Sequence, residues 1–116
     1  MKENLLNGGF HDAEIYGFKI NKDSDSLELW MTLPNKKNMI LSFKNPIFWE
    51  FNFVGLQNSV YEISIFEKNK IPDFLLDEYP ALIEFKNHDY YNDYKLAHIN
   101  PSVGLEGVIW FETFQI

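Results

Sequence analysis

The sequence predicts a mainly β protein: a strongly bent antiparallel sheet or partly open barrel of about seven to eight strands with one short helix. Three observations predict it. Apolar and polar residues alternate along most of the chain, most clearly where Leu27, Leu29, Met31 and Leu33 interleave with Glu28, Trp30 and Thr32, the period-2 mark of a strand with one buried face. The alternating runs are joined by short polar clusters, which suit antiparallel neighbours because parallel crossovers need about a dozen residues or more. Finally, 17% of the 116 residues are aromatic, enough bulk to fill a core in a chain of this size without disulfide staples.

The elements follow in order. Residues 1–9 are polar with a Gly-Gly end and read as a loose lead-in. From Glu14 to Asn21, Tyr16, Phe18 and Ile20 fall on one face of a first strand. Lys22 to Ser26 is a polar turn, and Leu27 to Leu33 is the second strand. Pro34 to Asn38 turns the chain, since Pro cannot continue a ladder and Asn tolerates turn geometry. Met39, Leu41 and Phe43 mark a third strand, interrupted at Asn45-Pro46. Ile47 to Phe53 is a fourth, with Ile47, Trp49, Phe51 and Phe53 on one face. Ser59 to Phe66 carries apolar bulk on both faces, as a central strand does.

Ile71 to Pro80 is the helix candidate. Pro72 fits a first turn, Asp73 complements the dipole there, and Pro80 stops it. So short a helix holds only by packing Phe74, Leu75 and Tyr79 on the sheet. Leu82 to Lys86 reads as a short strand, and Asn87 to Tyr94 as a loop too polar for the core. Lys95 to Ile99 is a further strand, and Asn100 to Gly107 a turn-rich connection. Val108 to Ile116 is a last, strongly apolar strand that must dock in a sheet. The whole, residues 1–116, reads as a single β-rich domain.

Charge and composition narrow the function. There are 17 acidic and 10 basic residues, a net charge of −7, and no cysteine. All the basic residues are lysine. Nucleic-acid readers use basic stripes and bidentate arginine, so direct nucleic-acid binding is not expected. An acidic surface attracts cationic partners and speeds their encounter, although such acidity also serves solubility. Thiolate metal ligands are excluded. No apolar run approaches the ~18 residues of a membrane span, and a cytoplasmic protein is expected.

No chemistry stands out. His11-Asp12 is the first candidate for metal or acid–base work, but His88 and His98 have no ligand-like spacing to it. A structural reading fits better: both side chains bond locally where the chain joins the sheet. No serine lies in a G-x-S-x-G elbow, and no phosphate-binding glycine loop occurs. No catalytic residue, metal ligand or cofactor is therefore assigned. The segment Asn87 to Tyr94 holds three tyrosines and two aspartates. Tyrosine gives large, rigid contact area at low entropic cost. Asp89, Tyr90, Tyr91, Asp93 and Tyr94, together with the similar group Asp77, Glu78 and Tyr79, are the candidate partner-binding residues. The alternatives are tyrosines folded back on the sheet edge with wet hydroxyls, and a solvated helix face at residues 77–79. Trp30 shares its face with Glu28 and Thr32, which would leave it partly exposed at a contact surface.

Short landmarks run through the chain: Phe10-His11-Asp12-Ala13-Glu14-Ile15, Leu27-Glu28-Leu29, Leu41-Ser42-Phe43, Gln57-Asn58 ahead of Tyr61-Glu62-Ile63, and Gly104-Leu105-Glu106-Gly107. In this order they resemble small bacterial immunity proteins of polymorphic-toxin systems that share a His-Asp-Ala start. The resemblance runs from Phe10 to the end, except for the insert from Lys68 to Tyr94. It implies a non-catalytic inhibitor that binds a cognate toxin, a nuclease among the candidates, and occludes its active site. Two other expectations compete. A small-ligand-binding β half-barrel would hold a pocket of at least a few hundred Å³. An enzyme using His11 would place it in an open cleft beside a carboxylate.

Overall fold

Eight strands form one antiparallel sheet in a computed structural model that describes residues 10–116. The lead-in expected at residues 1–9 lies outside the described residues. The strands are β1 (Glu14–Asn21), β2 (Ser26–Thr32), β3 (Asn38–Lys44), β4 (Phe48–Asn52), β5 (Ser59–Glu67), β6 (Lys95–Val103), β7 (Glu106–Phe111) and β8 (Thr113–Gln115). Two short helices, α1 (Asp73–Glu78) and α2 (Leu82–Lys86), lie between β5 and β6. The spatial order is β4-β7-β6-β5-β1-β2-β3-β8. No helix among the described residues is long and apolar enough to cross a membrane.

The bend of the sheet has a local cause. Asn45, at φ 51°, and Pro46 break the ladder between β3 and β4, because Pro has no N–H to give. Opposite them, Glu112 separates β7 from β8. Pairing resumes on both sides of this corner, with Ser42 facing Gln115 and Phe48 facing Trp110. Glu112 N–H donates to the Lys44 carbonyl and Ile47 N–H to the Trp110 carbonyl, each at 3.0 Å. The Asn45 amide locks the corner by donating to Glu112 Oε1 at 2.8 Å. The sheet therefore folds back on itself without closing. β1 and β5 share one ladder pair, Glu14 with Ser59.

The two faces are buried differently. Inside the bend, Leu29, Met31, Leu41, Phe43, Ile63, Ile99, Ile109 and Phe111 are wholly removed from solvent in one core. On the outer face of β5, β6 and β7, Leu96, Val108 and Trp110 form a second core with Ile71, Leu75, Tyr79 and Leu82 from the insert. β5 reaches this outer core through Phe66, while a register slip between Val60 and Glu62 turns Val60 into the inner core with Ile63, so its apolar residues fall at both parities.

Four expectations need correction. Phe74, expected to pack on the sheet, is exposed, and Leu75 and Tyr79 hold α1 without it. Leu82 to Lys86 is a helix, not a strand: Leu82 is buried and Phe85, three residues on, packs against the same outer core, the spacing of one helix face. In β1 a bulge between Ile15 and Gly17 separates Tyr16 from Phe18 and Ile20. Tyr16 meets Trp30 on the outer surface. Phe18 and Ile20 pair with the inward Leu29 and Leu27, and Phe18 contacts Phe51 at 4.9 Å between centroids. Lastly, the connection expected at Asn100 to Gly107 is mostly ladder, with β6 continuing to Val103 and the turn confined to Gly104 and Leu105.

Candidate functional site

The sequence landmarks meet in space as a clasp. Asp12 N–H donates to the Val60 carbonyl (2.9 Å), Val60 N–H to the Ala13 carbonyl (2.8 Å), and Ile15 N–H to the Asn58 carbonyl (2.9 Å). The buried Asn58 amide ties three segments together. Its Oδ1 accepts from Gly55 N–H at 2.9 Å and Leu105 N–H at 3.0 Å. Its Nδ2 donates to the Gly55 carbonyl at 2.9 Å and the Ile15 carbonyl at 3.3 Å. Gly104, at φ 85°, has to be glycine here: a Cβ would sit 2.3 Å from the Gln57 carbonyl oxygen. His11 belongs to this clasp as well. Its Nδ1 lies 2.8 Å from the Tyr61 carbonyl, and its Nε2 lies 3.6 Å from Asp12. These bonds hold β1 to β5, so they position the scaffold.

The tyrosine segment divides into anchors and an exposed residue. Tyr91 and Tyr94 pack against the outer core, and Tyr94 stacks on Trp110 with centroids 6.4 Å apart. Burial, with Glu112 close by, pushes the Tyr94 hydroxyl above its ordinary pKa. Tyr90 stands out, 78% exposed. Asp89 and Asp93 are exposed too. Residues 89–91 form a single 3-10 turn. Lys68 staples the segment from outside by donating to the His88 carbonyl and Asn92 Oδ1, both at 2.7 Å.

Tyr90 and Tyr94 form one wall of an open groove of about 720 Å³ at the sheet corner. Trp49, Ile47 and Ile20 supply its apolar lining; Lys22, Asp25 and Glu112 place charges around it. Sequence reasoning picked out Tyr90, Tyr94 and the interruption at Asn45-Pro46 but missed Ile20 and Trp49 as groove residues. The break at Asn45-Pro46 was the one available signal, because a bent strand next to a loop leaves a concave surface. Asp93 faces a second, smaller groove of about 570 Å³ with Lys68 and Lys95.

The other predicted group lies on α1 and at its end. Asp77 and Glu78 are exposed, whereas the Tyr79 ring is buried at 1% exposure. The Tyr79 hydroxyl is buried, with the Asn52 side chain acting on it to lower its pKa against the larger effect of burial. Burial pushes this hydroxyl up to about 12, and Glu106, Glu78 and Glu50 push the same way. Glu78 is itself raised, first by desolvation and then by Glu106, with which it shares a hydrogen bond, and by Glu50. Asn52 faces Glu106 across the β4–β7 ladder and donates to Glu50 Oε2 at 3.0 Å. Among the described residues no group of three His, Asp or Glu side chains has the geometry to hold a metal ion.

No known family model matches the chain, and no curated protein matches it. One solved structure, an uncharacterized protein from Neisseria gonorrhoeae, is similar in fold: the TM-score is 0.56 at 15% identity, covering 91% of this chain and 90% of that one. At that identity the likeness concerns the fold alone.

Proposed function

We propose that this protein is a non-catalytic inhibitor that binds a cognate bacterial toxin, with a nuclease as the leading target class, and neutralises it by covering its active site. The observation that carries this reading is the exposed Tyr90 beside Trp49 at the mouth of the corner groove. Aromatic side chains of this kind are enriched where proteins recognise proteins. The net charge of −7 suits a target whose active site binds phosphate, because such sites are positively charged. The clasp that joins His11-Asp12-Ala13, Gln57-Asn58 and Gly104-Leu105 fits the resemblance to immunity proteins, in which those landmarks would maintain a shared scaffold. His11 is used in that clasp, which favours a structural role for it over a catalytic one.

The test is expression of the neighbouring open reading frame with and without this protein. Relief of toxicity is the expected result; unchanged toxicity overturns the reading. A second reading, a small-ligand-binding half-barrel, draws on the size of the same groove. Its interior is filled by side chains such as Met31, Phe43 and Phe111, so a ligand would sit in the outer corner beside Trp49 and Tyr90.

A further inference from the structure

We propose that the loop from Phe53 to Leu56 is a preformed apolar plug that enters an apolar, basic-rimmed pocket on the protein this chain inhibits. This assignment rests on the inhibitor reading above and adds a second contact to the corner groove. The loop joins β4 to β5 and turns its apolar side chains outward. Phe53 is 77% exposed, Val54 is half exposed and Leu56 is fully exposed. Single apolar side chains are common on surfaces, but several on one tip mark a contact. Phe53 also holds φ 62°, a backbone conformation that bulky residues seldom adopt and that the surrounding structure has to enforce. The clasp supplies that enforcement. Gly55 N–H donates to Asn58 Oδ1, and Asn58 Nδ2 donates to the Gly55 carbonyl, both at 2.9 Å. The same buried amide is bonded to Leu105 and Ile15, so the base of the loop is fixed to β1 and to the β6–β7 turn. A tip ordered before it meets its partner loses little freedom on binding.

The charges around the tip select a protein pocket over a lipid surface. Glu50 lies on the strand that enters the loop and accepts from the Asn52 amide. Glu106 faces Asn52 across the β4–β7 ladder, and Glu14 faces Ser59 where the chain leaves the loop. No lysine occurs from Asn45 to Glu67. Apolar segments that enter anionic membranes carry lysine or arginine to meet the headgroups, and these carboxylates would be repelled there. A protein pocket rimmed by lysine or arginine complements them. A second copy of this chain carries the same net charge of −7 and lacks that complementarity. Position then ties the plug to the partner already proposed. Trp49 lines the corner groove, and Phe53 follows four residues later on the same run of chain. At ~3.3 Å per residue the two lie on the order of 13 Å apart along the strand. Both fit under one interface footprint of about 800 Å² per partner, so a protein that covers Trp49 and Tyr90 reaches the plug as well.

The test titrates the intact protein with the purified product of the neighbouring open reading frame in a calorimeter. Leu56→Ser removes the most exposed apolar side chain and is expected to weaken binding about thirtyfold, the loss of one interface hot spot, with the urea midpoint unchanged. Phe53→Asn removes the ring while asparagine tolerates the positive φ, so the fold is kept and binding is expected to weaken similarly. Weakening by either loop variant at an unchanged urea midpoint supports the plug. Ile40→Ser, also apolar and exposed but on β3, is expected to leave affinity unchanged. Equal weakening by all three variants is a general effect of lost apolar surface and overturns the plug. Unchanged affinity in both loop variants overturns it too. Flotation with phosphatidylcholine–phosphatidylglycerol vesicles and sedimentation of the free protein then show whether the loop serves a lipid surface or a second copy instead. Neutralisation separates the two levels. If the wild type neutralises the gene product and both loop variants do so with unchanged affinity, the plug falls and the inhibitor reading stands. If the wild type neither binds nor neutralises it, both fall.

Discussion

Asn58→Ala should be the most damaging polar substitution in the clasp. The buried amide makes four hydrogen bonds: to Gly55 N–H and carbonyl, to Leu105 N–H, and to the Ile15 carbonyl. The two bonds to Gly55 lie near an exposed loop, so water can replace them. Leu105 and Ile15 are buried at 1% and 2% exposure, and their freed groups would have no water. An orphaned buried group costs about 1–3 kcal/mol, and two of them give a loss of about 3 kcal/mol. That is a large part of the ~5–15 kcal/mol that holds a typical domain. With a urea m-value of about 1–2 kcal/mol/M, the midpoint should fall by roughly 2 M. Amide exchange localises the effect: Leu105 N–H should lose protection well before Leu29 or Phe43 on the far side of the sheet. A loss below ~1 kcal/mol, or protection lost evenly over the sheet, would refute the assignment of Asn58 as the tie between β1, β5 and the β6–β7 turn.

Other outcomes follow from the same geometry. Gly104→Ala should destabilise by about 3 kcal/mol or prevent folding, because it combines positive-φ strain with a backbone clash; urea denaturation reads it. Glu78→Gln should be mildly stabilising at pH 7. The Glu78 carboxyl is raised in the folded state, so its proton is held more tightly there than in the unfolded chain, and stability falls as pH rises through the folded titration. The gain from Glu78→Gln should stay below ~1 kcal/mol, since the side chain is exposed and screened, and it should vanish near pH 4; a gain that persists there refutes it. On the inhibitor reading, Tyr90→Ala, Asp89→Lys or Asp93→Lys should each weaken binding of the neighbouring gene product without changing the urea midpoint. Unchanged affinity in all three removes the loop from the interface.

The sequence made the regular strands plain and concealed the irregular ones. Leu27, Leu29, Met31, Leu41 and Phe43 alternate cleanly, and all are buried. Asn45-Pro46 announced the corner because its chemistry forbids a ladder. The alternation of Tyr16, Phe18 and Ile20 misled because one bulged residue reverses which face a side chain occupies. Leu82-Ile83-Glu84-Phe85 fits either period over so short a run, and burial against Val108 and Trp110 decides for the helix. The clasp residues were visible as landmarks, but their joining through Asn58 was not. Least visible was the glutamate cluster. Glu50, Glu78 and Glu106 are far apart in sequence, and only the β4–β7 register and the placement of α1 bring them together.

The insert from Lys68 to Tyr94 has two kinds of position, and they bear on how one scaffold can serve different partners. Ile71, Leu75, Tyr79 and Leu82 are fixed by the outer core. Replacing them with polar residues would expose Leu96, Val108 and Trp110, which are wholly buried, an apolar surface large enough to promote association. Asp73, Phe74, Asp77, Glu78, Ile83, Glu84 and Tyr90 are exposed and carry no such constraint. The inner core lies on the opposite face of the sheet, closed by the Asn58 clasp, and touches none of them. Substitutions at the exposed positions can therefore change what the surface recognises while both cores stay intact. Such separation is what a binding protein needs if its surface is to follow a changing target.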